Sequence, residues 1–300
     1  MESNSSANPY RELPIILFTF VQMLSIGAFI SLFLAAYLTF DESLFNQRIQ
    51  IYQGWITYFW LAGLVATGVI IFLLRNKEDV KPGNVFFQDQ GNISYSIFIV
   101  LLTIVFLTKY FNIPINIFNF LTFLAAIYTL FNIAQQYTFS DNRPAWQHPT
   151  TAGNIIQGTF ILGGAVGLWS YAASPLQNTY AWIVTVILIF EGLTLWSRFR
   201  FLSRTSQVTR QAALMMLGSH LTLFGVRFIF GIVMPFIYLL WVLIIKDLPL
   251  HPVILMLFVG ELSERILFFI TAEQTLPAPV ESAQDSAQPD DKTQEEENAD

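Results

Sequence analysis

Five ionisable residues lie inside long apolar stretches of the chain: Glu191, Arg227, Glu261, Glu264 and Arg265. A charge at the centre of a bilayer costs roughly 2.5–3.5 kcal/mol on insertion scales, so each of these residues needs a structural or functional reason. Glu261 and Arg265 are four residues apart with the glutamate first, which is the favourable order for an ion pair on one helix face. The pair predicts either a salt bridge that neutralises itself inside a helix bundle or a polar patch that faces a ligand head group.

The remaining polar residues of these stretches suggest proton transfer. Glu264 should lie on a neighbouring helix face, and we expect it near the membrane interface. Arg227 can pair with Glu261 or Glu264, or donate to a carbonyl oxygen of a bound quinone. Glu191, His220 and Glu264 are candidate proton-relay groups, because carboxyl and imidazole groups exchange protons readily. The alternatives are a glutamate neutralised by burial or by an arginine, and an ordinary interfacial histidine.

The elements that position these residues are long apolar helices. The chain is 54% hydrophobic and 12% charged, and a membrane-spanning helix needs about 20 apolar residues. Stretches such as Ile183–Phe190 are apolar on every side, unlike the alternating strands of a membrane barrel. The sequence therefore predicts an all-α polytopic membrane bundle with eight transmembrane helices. The predicted spans are 13–40, 51–74, 93–111, 114–137, 151–173, 180–199, 221–245 and 252–271.

The chain divides into a polar N-terminus (1–12), a transmembrane domain (13–272) and an acidic C-terminal tail (273–300). From Leu276 onwards eight carboxylates face a single lysine, Lys292. A segment of this composition cannot bury enough apolar surface to fold, so we expect it to be disordered. Nine lysines and arginines fall on one side of the predicted membrane and three on the other, which places both termini in the cytoplasm.

Composition also limits the cofactors. The absence of cysteine excludes disulfides, cysteine-ligated zinc and iron–sulfur clusters held by this chain. Because His148, His220 and His251 lie near span ends without forming a pair at one depth, we expect no haem, and we expect no metal site. The sequence shows no phosphate-binding loop, no dinucleotide fingerprint, no folded soluble domain and no sign of a nucleic-acid ligand. Soluble chemistry must therefore belong to a partner.

Three local features make more detailed predictions. The segment 137–151 carries two prolines around Trp146, which predicts either a rigid interfacial turn suited to a partner or a ligand head group, or a simple helix-connecting loop with an aromatic anchor. Small residues in Gly163–Gly167 predict close helix packing. Pro235 predicts a kink in the seventh span, and Gln211–Gly218 should lie at the interface or extend that helix.

Four motifs in order along the chain resemble the membrane-anchor subunit of dimethyl sulfoxide reductase. They are Leu13–Thr19, Arg143–Trp146, Thr159–Gly164 and Gly260–Arg265. The elements that match the family are Pro144 and Trp146 before the fifth helix, Arg227 early in the seventh, and Gly260, Glu261, Leu262 and Arg265 in the eighth.

The resemblance implies a subunit of the bacterial inner (cytoplasmic) membrane that binds and oxidises menaquinol. Two electrons would pass to an iron–sulfur subunit and from there to a molybdopterin catalytic subunit, in anaerobic electron transport. The chain itself would bind quinol and membrane lipid and would hold the soluble subunits. The quinol-binding candidates are Arg75, Trp146, His148, Arg227, Glu261 and Arg265.

One departure from the family concerns the base that accepts a quinol proton. The family carries a histidine at the end of its second helix, where this chain has Arg75. An arginine donates hydrogen bonds but does not accept a proton at neutral pH. Glu78, Asp89 and His148 are the alternative bases.

Two other functions remain open from the sequence. A purely structural anchor would keep the fold without quinol chemistry. A small-solute transporter would use the same helices, although the inverted repeats and interrupted helices typical of transporters are not evident beyond Pro235 and Gly163–Gly167. The terminal substrate and the membrane face of the soluble subunits do not follow from this chain.

Overall fold

The computed structural model describes residues 13–37, 45–75, 85–111, 113, 117–138, 149–172, 174–204, 207–245 and 248–273, and within these ranges the chain is helical and contains no strand. The elements are α1 (Leu13–Tyr37), α2 (Phe45–Arg75), α3 (Val85–Tyr110), α4 (Ile117–Thr138), α5 (Pro149–Ser170), α6 (Leu176–Arg204), α7 (Gln207–Leu217), α8 (Leu221–Phe228), a π turn (Ile229–Val233), α9 (Met234–Ile245) and α10 (His251–Glu273).

Five helical segments are long and apolar enough to cross a membrane, which indicates a membrane protein. They are Ile15–Tyr37, Gln90–Tyr110, Ile117–Thr138, Leu176–Arg204 and Leu221–Ile245. Helix α10 also has sufficient length, but it carries Glu261, Glu264 and Arg265 from its middle onwards. The predicted all-helical class is confirmed, and the number of eight crossings stays a prediction.

The predicted seventh span, 221–245, consists of three consecutive parts. Helix α8 leads into the π turn at Ile229, and α9 resumes at Met234. Pro235 has no backbone N–H, and its ring would clash with the carbonyl of Gly231 in a regular α-helix. We attribute the wider π turn to this conflict, so the disturbance predicted at Pro235 takes the form of a changed hydrogen-bond pattern. Residues 211–217 belong to α7, a separate short helix.

Helix α1 is the largely buried centre of the bundle and packs against α2, α4, α5 and α10. Its contact with α5 depends on glycine. A methyl group on Gly27 would clash with the Thr159 carbonyl, and one on Gly163 would clash with the backbone of Gly27. Gly164 and Gly167 face α6 in the same manner. The close packing predicted for Gly163–Gly167 is thereby confirmed.

Helices α1 to α4 meet in a group of rings that we name the aromatic cluster: Phe29, Phe33, Tyr52, Phe98 and Phe123. Ring centroids lie 5.7 Å apart for Phe29 and Phe98 and 4.5 Å apart for Phe33 and Phe123. Tyr52 lies 6.0 Å from Phe29. Offset and edge-to-face pairs at such distances each contribute about 0.5–1.5 kcal/mol beyond the buried area, so this part of the bundle is held by ring packing.

Candidate functional site

Arg227 is the centre of a buried group of charges. Its guanidinium forms ion pairs with three carboxylates: Glu191, Glu261 at 3.2 Å and Glu264 at 3.3 Å. The side chains of Arg227, Glu191 and Glu261 are each about 1% exposed. One cation thus neutralises carboxylates from two other helices, and pairing of this kind is the condition under which a buried charge is tolerated.

Helical spacing explains why these side chains converge. Glu264 and Arg265 follow Glu261 by three and four residues, so both lie beside it on α10. Arg227 lies at the end of α8, immediately before the π turn, and such turns frequently occur at functional sites. Four residues after Arg227, Gly231 of the π turn packs against Gly260 of α10. A methyl group on Gly260 would clash with the Gly231 backbone. The two backbones can therefore approach until Arg227 reaches the α10 carboxylates.

Glu264 is the second centre of the group. It accepts hydrogen bonds from Arg198 at 3.0 Å and from Asn154 Nδ2 at 2.6 Å, in addition to its ion pair with Arg227. Glu264 is 2% exposed, and its position near the membrane interface stays a prediction. Its helix face is covered by α5, α6 and α8, and helix periodicity alone does not show which faces neighbouring helices will cover.

Two residues of this group were missed in the sequence analysis. Arg198 is 3% exposed and bonded to Glu264. It follows Glu191 by seven residues, or two turns of α6, and this spacing could have indicated that the two residues share a helix face. Asn154 had no distinguishing signal, because a single amide in a helix is common. We name the six charged residues together with Asn154 the charged network.

Arg265 differs from the other two arginines. The predicted ion pair between Glu261 and Arg265 is wrong, because Glu261 is paired with Arg227 instead. Arg265 is 0% exposed, yet no described group accepts a hydrogen bond from its Nε, Nη1 or Nη2 atoms. Its guanidinium lies 5.5 Å from the ring centroid of Phe268, and that of Arg198 lies 5.1 Å from the same ring.

Two carboxylate oxygens in the charged network also remain available. Glu191 Oε2 and Glu261 Oε2 accept no hydrogen bond from any described residue, although both carboxylates contact Arg227 through Oε1. A methyl group on Gly158 would clash with Glu261 Oε2, so the glycine provides the space that this oxygen occupies. Two carboxylates with a free oxygen each are suited to accept and release protons.

The formal charges of the network cancel, since it contains three glutamates and three arginines. Its members range from the middle of α6 and α10, where Glu191 and Glu261 lie, towards the end of the bundle at which α5 and α8 begin. Taking several charges out of water costs several kcal/mol for each ion after relaxation. A group whose formal charges cancel keeps this cost lower in an apolar helix bundle than a group with a net charge.

The other predicted site residues do not join the network. His220 is half-buried before α8, and its Nε2 atom makes no hydrogen bond with described residues. Arg75 ends α2, but its side chain lies outside the described residues, as do Trp146, His148, Glu78 and the side chain of Asp89. In the described part of the chain, no three His, Cys, Asp or Glu side chains are grouped so that they could hold a metal ion.

An apolar groove of about 380 Å³ lies between α10 and the segment formed by α8 and the π turn. It is lined by Val226, Phe230, Pro252, Leu255, Met256 and Val259. Val226 directly precedes Arg227, and Val259 lies two residues before Glu261. On α10 the lining residues form one helix face, and Glu261, two residues after Val259, points to the opposite side of that helix.

Comparison of this chain with protein-family models, with curated proteins and with solved structures finds no match.

Proposed function

We propose that this chain is the membrane-anchor subunit of a molybdoenzyme of the dimethyl sulfoxide reductase type, which binds and oxidises menaquinol and passes electrons to an iron–sulfur partner. The observation that carries the proposal is the charged network. Arg227, Glu261 and Arg265, which belong to the motifs that resemble this family, lie together in it although they come from two separate parts of the sequence.

The chemistry requires acceptors for two protons and two electrons. Oxidation of one menaquinol to menaquinone releases two protons and two electrons. Glu191 and Glu261 each have one free carboxylate oxygen, so each can take one proton from a quinol hydroxyl. This chain contains no cysteine and no redox centre of its own is proposed, so both electrons leave to the iron–sulfur subunit and then to the molybdopterin subunit. The protons leave through the end of the bundle near the network.

The surroundings of the network suit a lipid-soluble substrate. Menaquinol carries a long isoprenoid chain, and the apolar groove between α10 and the segment formed by α8 and the π turn offers it an apolar surface. In this proposal all eight predicted spans cross the bacterial inner membrane and both termini lie in the cytoplasm. Helix α10 then crosses with its charges facing inward, where α5, α6 and α8 cover them.

Co-purification from native membranes in mild detergent tests the assembly. Mass spectrometry should find a cysteine-rich iron–sulfur protein and a large molybdopterin protein bound to this chain. Recovery of the chain alone would contradict the proposal. Glu261→Gln should then lower quinol-dependent reduction of the iron–sulfur partner by about 100-fold or more, as expected for loss of a proton acceptor. Assembly should persist, and Glu12→Gln in the polar N-terminus provides a matched control.

A purely structural anchor is the second candidate, and the neutrality of the charged network favours it. Ion pairs that satisfy one another can simply join α6, α8 and α10. In that case the partners would co-purify as before, but the complex would bind no quinol analogue. Glu261→Gln would then change thermal stability and leave electron transfer from any soluble donor unaltered.

A further inference from the structure

We infer that Arg265 is the ligand-binding arginine of the charged network and that its guanidinium donates hydrogen bonds to a ring oxygen of the quinol, whereas Arg227 has a structural role. This inference rests on the proposed function and deepens it by assigning different tasks to two arginines that the sequence treats alike.

Arg227 and Arg265 differ in their hydrogen-bond and ion-pair partners. Arg227 contacts three carboxylates, so its donors are already engaged within the protein. Arg198 gives its Nη1 donor to Glu264, while its Nε and Nη2 atoms donate to no described residue. Arg265 is fully buried, and none of its three nitrogen atoms donates to a described residue. Of the three arginines, it is the one with all its donors available for a ligand.

The position of Arg265 is nevertheless fixed. The guanidinium lies over the Phe268 ring, one turn further along α10, at 5.5 Å from the ring centroid. A cation over an aromatic face gains about 0.5–2 kcal/mol and keeps its direction. A buried donor without an acceptor is costly, because it gives up its hydrogen bonds to water. An oxygen atom of a ligand would supply the missing acceptor at a site that is already oriented.

Charge balance indicates which oxygen this is. The network is formally neutral, so an anion such as a phosphate would add an uncompensated charge in an apolar environment. A neutral quinol adds none. When one quinol hydroxyl gives its proton to a network carboxylate, negative charge develops on the quinol oxygen. Arg265 stabilises that charge through hydrogen bonds that require no further rearrangement, as oxyanion-stabilising donors do. The second proton and both electrons follow by the steps proposed above.

The test measures quinol-analogue affinity in the native complex. Arg265→Gln is expected to raise the dissociation constant of a fluorescent hydroxyquinoline N-oxide by about 10- to 100-fold, the loss expected for hydrogen bonds to a charged donor. The Michaelis constant for 2-methyl-1,4-naphthoquinol should rise in parallel. Arg204→Gln, at an exposed arginine near the end of α6, should leave both values unchanged. Affinity is expressed per folded complex, so that a loss of stability alone does not imitate a loss of binding.

Each outcome decides one question. If wild-type complex binds no analogue, the proposed quinol function fails. If wild type binds it and Arg265→Gln binds equally well, the role of Arg265 is refuted while the function stands. Should Arg265→Gln fail to accumulate, Arg265→Lys decides, because an ammonium lacks the planar fork of donors. We expect its dissociation constant to rise about threefold or more, and an unchanged value would overturn the inference. Displacement of the analogue by phosphatidylglycerol would identify an anionic occupant and also overturn it.

Discussion

The aromatic cluster and the charged network hold neighbouring parts of one bundle together by different physical means. In the cluster, rings from α1 to α4 fill space around Phe29, and no single contact dominates. In the network, one guanidinium serves three carboxylates and each partner is specific. Ring packing is nearly non-directional and tolerates exchange of similar volumes, whereas a buried ion pair fails when one member is removed.

This difference distinguishes a region that stabilises the bundle from a region that could carry out chemistry. A membrane provides no hydrophobic force between helices, because lipid tails are as apolar as side chains. Close packing therefore supplies adhesion in both parts, as the glycine contacts of α1 with α5 and of the π turn with α10 demonstrate. Buried ion pairs add little net stability, and the loss of one member of a pair is strongly destabilising. Their presence in α6, α8 and α10 requires a structural or a functional reason, and the predictions below separate the contributions of rings and charges to stability.

The largest effect should follow from Arg227→Met. The substitution leaves Glu191, Glu261 and Glu264 without their shared cation, and an unbalanced buried charge costs about 3–5 kcal/mol. Thermal unfolding in detergent and the amount of chain in membranes should both show this loss. Arg204→Met, at an exposed arginine, should change stability by no more than about 0.5 kcal/mol.

A second substitution identifies the cause of that loss. Adding Glu191→Gln to Arg227→Met removes one of the unbalanced carboxylates, so the double variant should regain part of the stability. If the double variant unfolds as early as the single one, lost packing of the arginine stem would explain the effect and charge balance would not.

Phe29→Ala should be the next largest change and tests the aromatic cluster. Burial of Phe29 is complete, and Phe→Ala substitutions in a core cost about 3–5 kcal/mol. We expect the low end, about 3 kcal/mol, because transfer from water contributes little within lipid. Leu193→Ala, on a side chain that is 60% exposed, is the control for a lipid-facing position. A neutral effect of Phe29→Ala would mean that the rings do not determine stability.

Asn154→Ala tests a peripheral contact of the charged network. It removes the 2.6 Å hydrogen bond to Glu264, and hydrogen bonds to charged groups contribute about 1.5–3 kcal/mol. The free energy of unfolding should fall by this amount. Gln53→Ala removes an exposed amide from α2 and should have almost no effect, so equal losses in the two variants would contradict a specific role of Asn154.

The smallest effect is expected for Trp60→Phe, which alters an uncharged contact between α2 and α3. Trp60 donates through Nε1 to Thr103 at 2.9 Å and stacks on Phe106 at 4.4 Å. Phenylalanine retains the stacking and loses only the hydrogen bond, which averages about 0.6 kcal/mol between membrane helices. Trp196→Phe, at a ring that is 67% exposed, provides the baseline in the same unfolding measurement. A loss above about 2 kcal/mol would show that neutral hydrogen bonds rival the network.

Much of the fold could be predicted from apolar length. Spans 221–245 and 252–271 agree with the helices within a few residues, whereas α3 begins eight residues before the predicted span 93–111. The added residues of α3 include Gln88, Asp89 and Gln90, and hydropathy does not indicate polar turns that continue a helix beyond the apolar core. Hydropathy also did not indicate the π turn that divides 221–245, although Pro235 marked its location.

The candidate site was predictable in membership and in part of its pairing, because the expected pairing of Arg227 with Glu261 or Glu264 is found in the structure. Glu191, Arg227, Glu261, Glu264 and Arg265 stood out because charges within apolar stretches are rare. Their partners depend on which helix faces meet, and that information is not contained in the spacing of one helix. The expected pair between Glu261 and Arg265 therefore gave way to Arg227, which approaches from another helix through the Gly231 and Gly260 contact.

By itself the sequence determined that this is a helical chain of membrane composition, without cysteine ligands, and with a small set of charges that must be buried. Local periodicity and transfer free energy are sufficient for those conclusions, because both act within one segment. Only the tertiary structure decided that Arg198 and Asn154 belong with those charges, that Arg227 is surrounded by carboxylates and that Arg265 keeps its donors free. Pairing energies depend on distances between segments far apart in the chain, and only packing of the helices sets those distances.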